Sequence, residues 1–208
     1  MTTNSTIESG PTTMRGATVT DLIRSRRSAK RVLESPIDRT VIGRLLEAAT
    51  WAPNHHLTEP WRFWVISGDA RERFGGAMAA GDLNTHRDAT PAQRETMRAS
   101  AVGKAQRAPV IIAVAAVMTE GGKNPDIEEV SATAAAIQNL LLQAEAEGLG
   151  AIWRTGRSAY EPEMLDFFGL SERDRIIGFI YLGHPDPDAP ARTSQRRPAT
   201  ELTTWLDD

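Results

Sequence analysis

Behind Asp38, apolar residues fall at Val41, Ile42, Leu45, Leu46 and Ala49, the i, i+1, i+4, i+5, i+8 spacing of one helical face. Asp38 supplies the start of that helix and Pro53 its stop. Asp21 caps or opens a shorter helix before it. A strand over 62–67, where Phe, Trp, Val and Ile crowd together, comes after it, and Asp69 starts the next helix. The stretch from Asp82 to Ala105 is polar, charged and helical in pattern, and is expected to be mobile. Val110 to Met118 is apolar at nearly every position, which predicts a strand buried on both faces. From Asp126 to Glu147 runs a long helix with Val130, Ala134, Ile137, Leu141 and Ala144 on one side, and its many alanines let another helix come close. Gly148 ends it. Strands over 151–154 and 176–182 follow, separated by a short helix over 161–168. Helices alternating with near-continuous apolar strands predict a sheet covered on both faces.

Composition narrows the picture. The chain has 208 residues, 40% hydrophobic and 25% charged, enough to bury a substantial core as one large domain or a tight pair. A net charge of −3 and a pI near 5.9 argue against broad binding to nucleic acid or anionic membranes, so basic clusters must act locally. There is no cysteine, hence no disulfide, thiolate nucleophile or cysteine-held metal, which fits a reducing cytoplasm. Residues 1–16 are Thr/Ser/Gly-rich, lack the apolar core of a signal peptide, and are expected to form a disordered tail ahead of a domain over 17–208. The longest apolar run is too short to span a bilayer. Pro, Asp and Arg crowd together over 184–198, which predicts an extended arm.

Candidate chemistry concentrates in four places. Arg24-Ser25-Arg26-Arg27-Ser28-Ala29-Lys30-Arg31 sets guanidinium groups beside a hydroxyl, a donor set suited to a phosphate dianion. Trp51-Ala52-Pro53-Asn54-His55-His56-Leu57-Thr58-Glu59-Pro60-Trp61 suits a flat ring. Ile152-Trp153-Arg154-Thr155-Gly156 follows Glu147-Gly148-Leu149-Gly150, and Gly178-Phe179-Ile180-Tyr181-Leu182-Gly183-His184-Pro185 lies in the last strand. No G-x-G-x-x-G or G-x-x-x-x-G-K-S/T follows any strand, which removes the commonest dinucleotide and nucleoside-triphosphate readings. No Ser-His-Asp set or pair of catalytic carboxylates emerges.

These four segments, in this order over most of the chain, resemble the nitroreductase family of FMN-dependent oxidoreductases, and in particular a bacterial subgroup of small members. The resemblance implies an α+β fold: an α/β/α sandwich with a central mixed sheet of four to five strands and an extended C-terminal arm. It implies an NAD(P)H-dependent, ping-pong reduction of nitroaromatic, quinone or similar flat acceptors by a homodimer with FMN at the subunit interface. Within the same fold the alternatives are another flavin reaction, such as flavin fragmentation or reductive dehalogenation, and a non-catalytic FMN-binding module.

Carried over residue by residue, the resemblance gives Arg26, Arg27 and Ser28 to the FMN phosphate, ribityl and pyrimidine groups, with Arg196 as a second phosphate cation. Lys30 and Arg154 are candidates for the positive field at flavin N1/O2. The backbone N–H of Thr155 or Gly156 is the candidate donor to N5, and Trp153 a candidate packing partner of the ring. His55 reaches the flavin of the neighbouring subunit, with Trp51 one helical turn before it. On residue type alone, a charge run is a solvated helix face, Lys30 a solvent-facing residue, Trp51 and Trp153 core, and His55 a surface turn. His55 and His56 are not expected to hold a metal, since adjacent side chains diverge. One position departs from the family pattern: Glu59 stands where Gln is common before Pro-Trp. A carboxylate opposes charge developing on reduced flavin, so Glu59 is expected to point away, pair with a cation or take a proton. Trp61 and Phe63 read as core.

Overall fold

The computed structural model describes residues 18–119, 121, 124–191 and 193–206. The tail expected over 1–16 lies outside them. Helix α1 (Val19–Ser25) opens with a capping box in which the Thr18 hydroxyl accepts from the Asp21 N–H while the Asp21 carboxylate accepts from the Thr18 N–H. A two-residue strand, β1 (Val32–Leu33), follows, then α2 (Arg39–Thr50), whose cap is Asp38 accepting from Thr40 N–H at 2.7 Å. After β2 (Trp61–Ser67) come α3 (Ala70–Thr85) and α4 (Pro91–Ala105), so the stretch from Asp82 to Ala105 is helical as expected but divided between two helices. Thr90 and Gln93 cap α4 reciprocally, and Gly75 lets α3 approach so closely that an added Cβ would lie 2.6 Å from Val102 Cα. The remaining elements are β3 (Val110–Ala116), α5 (Asp126–Ala146), β4 (Gly150–Arg154), α6 (Pro162–Phe168) and β5 (Arg175–Pro185).

The sheet runs β1-β5-β3-β2, with β4 also on β5. The mixed sheet expected from the resemblance is antiparallel in all four of its described ladders, and the parallel pairing is confined to an isolated bridge between Ser28 and Ala151. Every residue of β3 is buried. Its alternation sends Val110, Ile112 and Val114 into one cluster with α2 and α5, and Ile111, Ala113 and Ala115 into a second with α3, α4 and α6. Two cores, one on each face of the sheet, make the sandwich. Trp61 is buried and Phe63 packs against the first cluster, as expected of core residues.

Helix α5 is rotated from its expected face. Glu129, Thr133, Ala136, Leu140 and Ala144 are buried, with Ala132, Ile137 and Leu141 beside them, whereas Val130 and Ala134 are only half-buried. The stripe admits Glu129 because its carboxylate accepts hydroxyl bonds from Thr58 and Thr119. Three of the alanines, Ala132, Ala136 and Ala144, are therefore consumed inside the chain rather than offered to a second copy.

β5 holds the sheet together, and two of its glycines are required for close approach. A Cβ at Gly183 would lie 2.7 Å from Val32 Cβ, and one at Gly178 would lie 2.1 Å from Trp153 Nε1. Gly183→Ala is expected to destabilise the chain by about 1–3 kcal/mol, the usual range for overpacking, read as a lower urea midpoint. An unchanged midpoint would contradict the crowding.

Asp174 ties the entry of β5 to the exit of β3. Burial pushes its carboxyl up, but hydrogen bonds from the Met118 and Ser171 N–H groups and the Ser171 hydroxyl outweigh that and hold it below the ordinary aspartate value. A depressed folded-state value means stability present above the unfolded value and lost as pH falls through the folded one. Asp174→Asn is therefore expected to be less stable than the parent at neutral pH and to close the gap below about pH 4. A constant gap across that window would contradict this.

Candidate functional site

Strand β4 ends in an open cavity of about 400 Å³. The sheet alternation that puts Ala151 in the α2/α5 core turns Ile152 to the opposite side, and Arg154 follows it there. The Arg154 guanidinium stands over the Tyr181 ring at 5.6 Å, and its Nε is buried without a hydrogen-bond partner. Burial raises the Tyr181 phenol above its ordinary value, only partly offset by Arg154 and Arg107, so it stays neutral at physiological pH.

Thr155 and Gly156 continue the wall. Gly156 has φ 92°, and a Cβ placed there would meet nothing within 4 Å. Its carbonyl accepts from Ala159, starting a 3-10 turn at Arg157–Tyr160. Among the described residues neither the Thr155 nor the Gly156 N–H has a backbone partner outside the β4–β5 ladder. The far wall comes from α3 and α4 through Met78, Asp82, Ala101 and Lys104, with Arg107 just beyond. Four cations (Lys104, Arg107, Arg154 and Arg157) against one lining carboxylate, Asp82, make the cavity electropositive. Arg157 is the least available, being paired with Glu161 at 2.8 Å.

Of the residues singled out in the sequence, Arg154, Thr155 and Gly156 meet in this cavity. Ser28 is brought to the same strand: it bridges Ala151, and Ala29 N–H donates to Ala151 C=O at 3.0 Å. That places Ser28 three residues from Arg154 along β4, roughly 10 Å. Arg26 and Arg27 are partly buried beside it. Arg27 donates through one guanidinium nitrogen to the carbonyls of Arg24, Ser25 and Arg26, closing the end of α1, while its Nε is buried and unpartnered. Lys30 is exposed.

Trp153 lies across Gly178 and donates to the Ile177 carbonyl at 3.0 Å, so it does not line the cavity. Arg196 is exposed in the arm and contacts its neighbours Ser194 and Gln195. Lys104 and Arg107 are additions that sequence reasoning missed, and Tyr181 lay in the last-strand segment without being singled out as a site residue. For Lys104 the signal was the Ala101, Ala105 spacing, which buries one side of α4 and leaves Lys104 in the helix's last turn.

The second segment lies elsewhere. Trp51 is 80% exposed and Leu57 82%, so Trp51 is not core. His55 is exposed and reaches Glu128 on α5, Nδ1 to Oε2 2.7 Å. His55 and His56 stack at 4.0 Å instead of diverging, because His56 takes φ 57° and swings its ring back. The Glu59 side chain is exposed, while its N–H donates to Asn54 Oδ1.

Comparison with known proteins places the chain in a family. Over 187 residues the chain is 33% identical to the "Putative NAD(P)H nitroreductase YdjA" of Escherichia coli, covering 88% of this chain and 97% of that one. Its fold is similar to that of a nitroreductase-like family protein from Bacillus cereus, with a TM-score of 0.78, 27% identity, and coverage of 92% and 97%. It is also similar to a "putative nitroreductase in complex with fmn" from Desulfovibrio desulfuricans, with a TM-score of 0.66, 29% identity, and coverage of 91% and 96%. Residues 23–184 match the profile of the nitroreductase family, and with that match the chain belongs to it.

Proposed function

We propose that the protein is an FMN-dependent oxidoreductase that uses NAD(P)H to reduce nitroaromatic, quinone or similar flat acceptors. The observation that carries this reading is the cationic cavity at the end of β4, where Arg154 has a buried, unpartnered Nε and the Thr155–Gly156 backbone faces open space. A planar cofactor that gains negative charge on reduction fits that donor set. The relatives named NAD(P)H nitroreductases and the FMN-bound neighbour support it.

FMN, when bound, supplies a carrier that takes two electrons from NAD(P)H and returns them to the acceptor. The chain's own residues do the rest. Arg154, with Lys104 and Arg107, provides fixed positive charge along the cleft where negative charge develops. The free N–H groups of Thr155 and Gly156 serve as hydrogen-bond donors at the strand end. Arg26, Arg27 and Ser28, held against β4 by the Ser28–Ala151 bridge, take the phosphate and ribityl groups, joined by Arg196 from the arm. Because both substrates use one cleft, they take turns, a ping-pong order.

Removing one charge-assisted contact costs roughly 1.5–3 kcal/mol. Arg154→Ala and Arg26→Ala are therefore each expected to weaken FMN binding by about one to two orders of magnitude, measured by fluorescence titration, with far-UV circular dichroism unchanged. Affinities equal to the parent's would contradict the assignment.

The exposed segment supports assembly. Trp51 and Leu57 on one loop and Leu202, Trp205 and Leu206 on the arm are each at least 61% exposed, large apolar side chains of the kind a subunit contact covers. A homodimer covers it, brings His55 and Trp51 to the neighbour's cleft, and suits a cytoplasmic enzyme; among the described residues no helix is long and apolar enough to cross a membrane. Sedimentation at micromolar concentration should give a dimer, and Trp51→Glu a weakened one. A parent monomer that binds FMN stoichiometrically would contradict it.

A further inference from the structure

The loop that carries His55 is bent into a shape its sequence does not favour. His56, Leu57 and Glu59 have φ of 57°, 54° and 45°, the left-handed region that non-glycine residues enter only against steric resistance. Such a run persists only where surrounding contacts over-determine it. Three contacts do so here. Asn54 Oδ1 accepts the Glu59 N–H at 3.0 Å, Asn124 Nδ2 donates to the His55 carbonyl at 3.1 Å, and Thr58 Oγ1 donates to Glu129 Oε2 at 2.7 Å.

The last of these reaches into the core. Glu129 is 3% exposed, within the buried stripe of α5, and its other oxygen accepts from Thr119 Oγ1 at 3.3 Å. The preceding residue, Glu128, points outward to His55 Nδ1. Consecutive carboxylates on one helix thus grip the loop twice, one by the Thr58 hydroxyl, between the left-handed Leu57 and Glu59, and one by the His55 imidazole. His56, stacked on the His55 ring with 14° between planes, restricts its rotation.

We propose that Glu128 fixes His55 in the tautomer with its proton on Nδ1, and that Glu129, acting through Thr58, is the positioning residue that holds the loop where Glu128 reaches the ring. An ionised Glu128 can only accept, so the nitrogen 2.7 Å from it must donate. Nε2, which has no hydrogen bond within the chain among the described residues, is left as an acceptor. Glu128 from α5 and His56 from the loop itself are the charged or titratable groups on His55, and Glu129 stands behind them through Thr58. The tautomer stands on this chain alone. Its use toward a neighbour's flavin rests on the oxidoreductase reading.

The test is long-range proton–nitrogen correlation of the imidazole rings in the full-length, nitrogen-15-labelled protein at neutral pH, with and without FMN. The chain has four histidines, and His55→Gln identifies the signals of the one in question. The parent should show His55 protonated at Nδ1 and bare at Nε2. Thr58→Val and Glu129→Gln should move it to the mixture of a free imidazole, in which the Nε2-protonated form dominates, and Thr58→Ser should restore the parent pattern. Should Glu129→Gln fail to fold, the Thr58 pair, on a half-buried loop, decides alone. Retention of the parent ring pattern in Thr58→Val would overturn the proposal, as would a parent His55 protonated at Nε2. Failure of FMN to bind would count against the oxidoreductase reading, while the ring pattern would still be read.

Discussion

Strand β5 is the constraint on which the rest of the molecule depends. Its 11 residues pair with β3 along one edge and with both β4 and β1 along the other. Three partners on one strand require the chain to cross closely at its far end, and Gly183 facing Gly150 permits this, with Val32 packed over both. The crossing matters because Val32 follows the basic segment: seating it on β5 lays Ser28 and Ala29 against Ala151. Tyr181, Arg154 and the turn at Gly156 are set by the same ladder. The register of β4 on β5 therefore fixes both the phosphate-binding candidates and the cavity wall.

Helix α5 performs the corresponding task for the His55 loop. The loop's backbone strain is offset by hydrogen bonds to Glu128, Glu129 and Asn124 at the start of one helix, whose other end packs into the α2 core. Strain of this kind is held in place by rigid neighbours rather than by the loop itself. The cleft and the loop are thus separate products of one fold: a cationic hollow at the end of β4, and a loop whose Trp51 and His55 side chains are exposed.

Much of this was legible in the residues. Asp38 and Gly148 marked helix ends correctly because capping is local chemistry, and the apolar run at Val110 gave a strand buried on both faces because no polar residue interrupts it. Arg154-Thr155-Gly156 was legible as a candidate through its motif, and these residues line a cavity. Lys104 and Arg107 were not, since a polar helix next to a strand looks like solvent-facing surface until Gly75 and the α3 packing turn it inward. The rotation of α5 escaped for a related reason: Glu129 counts as polar until Thr58 and Thr119, far away in sequence, satisfy it. Trp51 was ambiguous between core and surface because helical periodicity ends one residue before it. The antiparallel order of the ladders is set by crossings that no local pattern encodes.

The central claim is that the electropositive cavity at the end of β4 is where the flavin sits. A crystal structure of the protein grown with FMN tests it most directly. The account requires the ring system against Arg154, Thr155 and Gly156 and the phosphate toward Arg26 and Ser28. Density for FMN at another hollow, such as the groove between α2 and β2 lined by Ile42, Leu46 and Val65, with the β4 cavity holding only solvent, would contradict it.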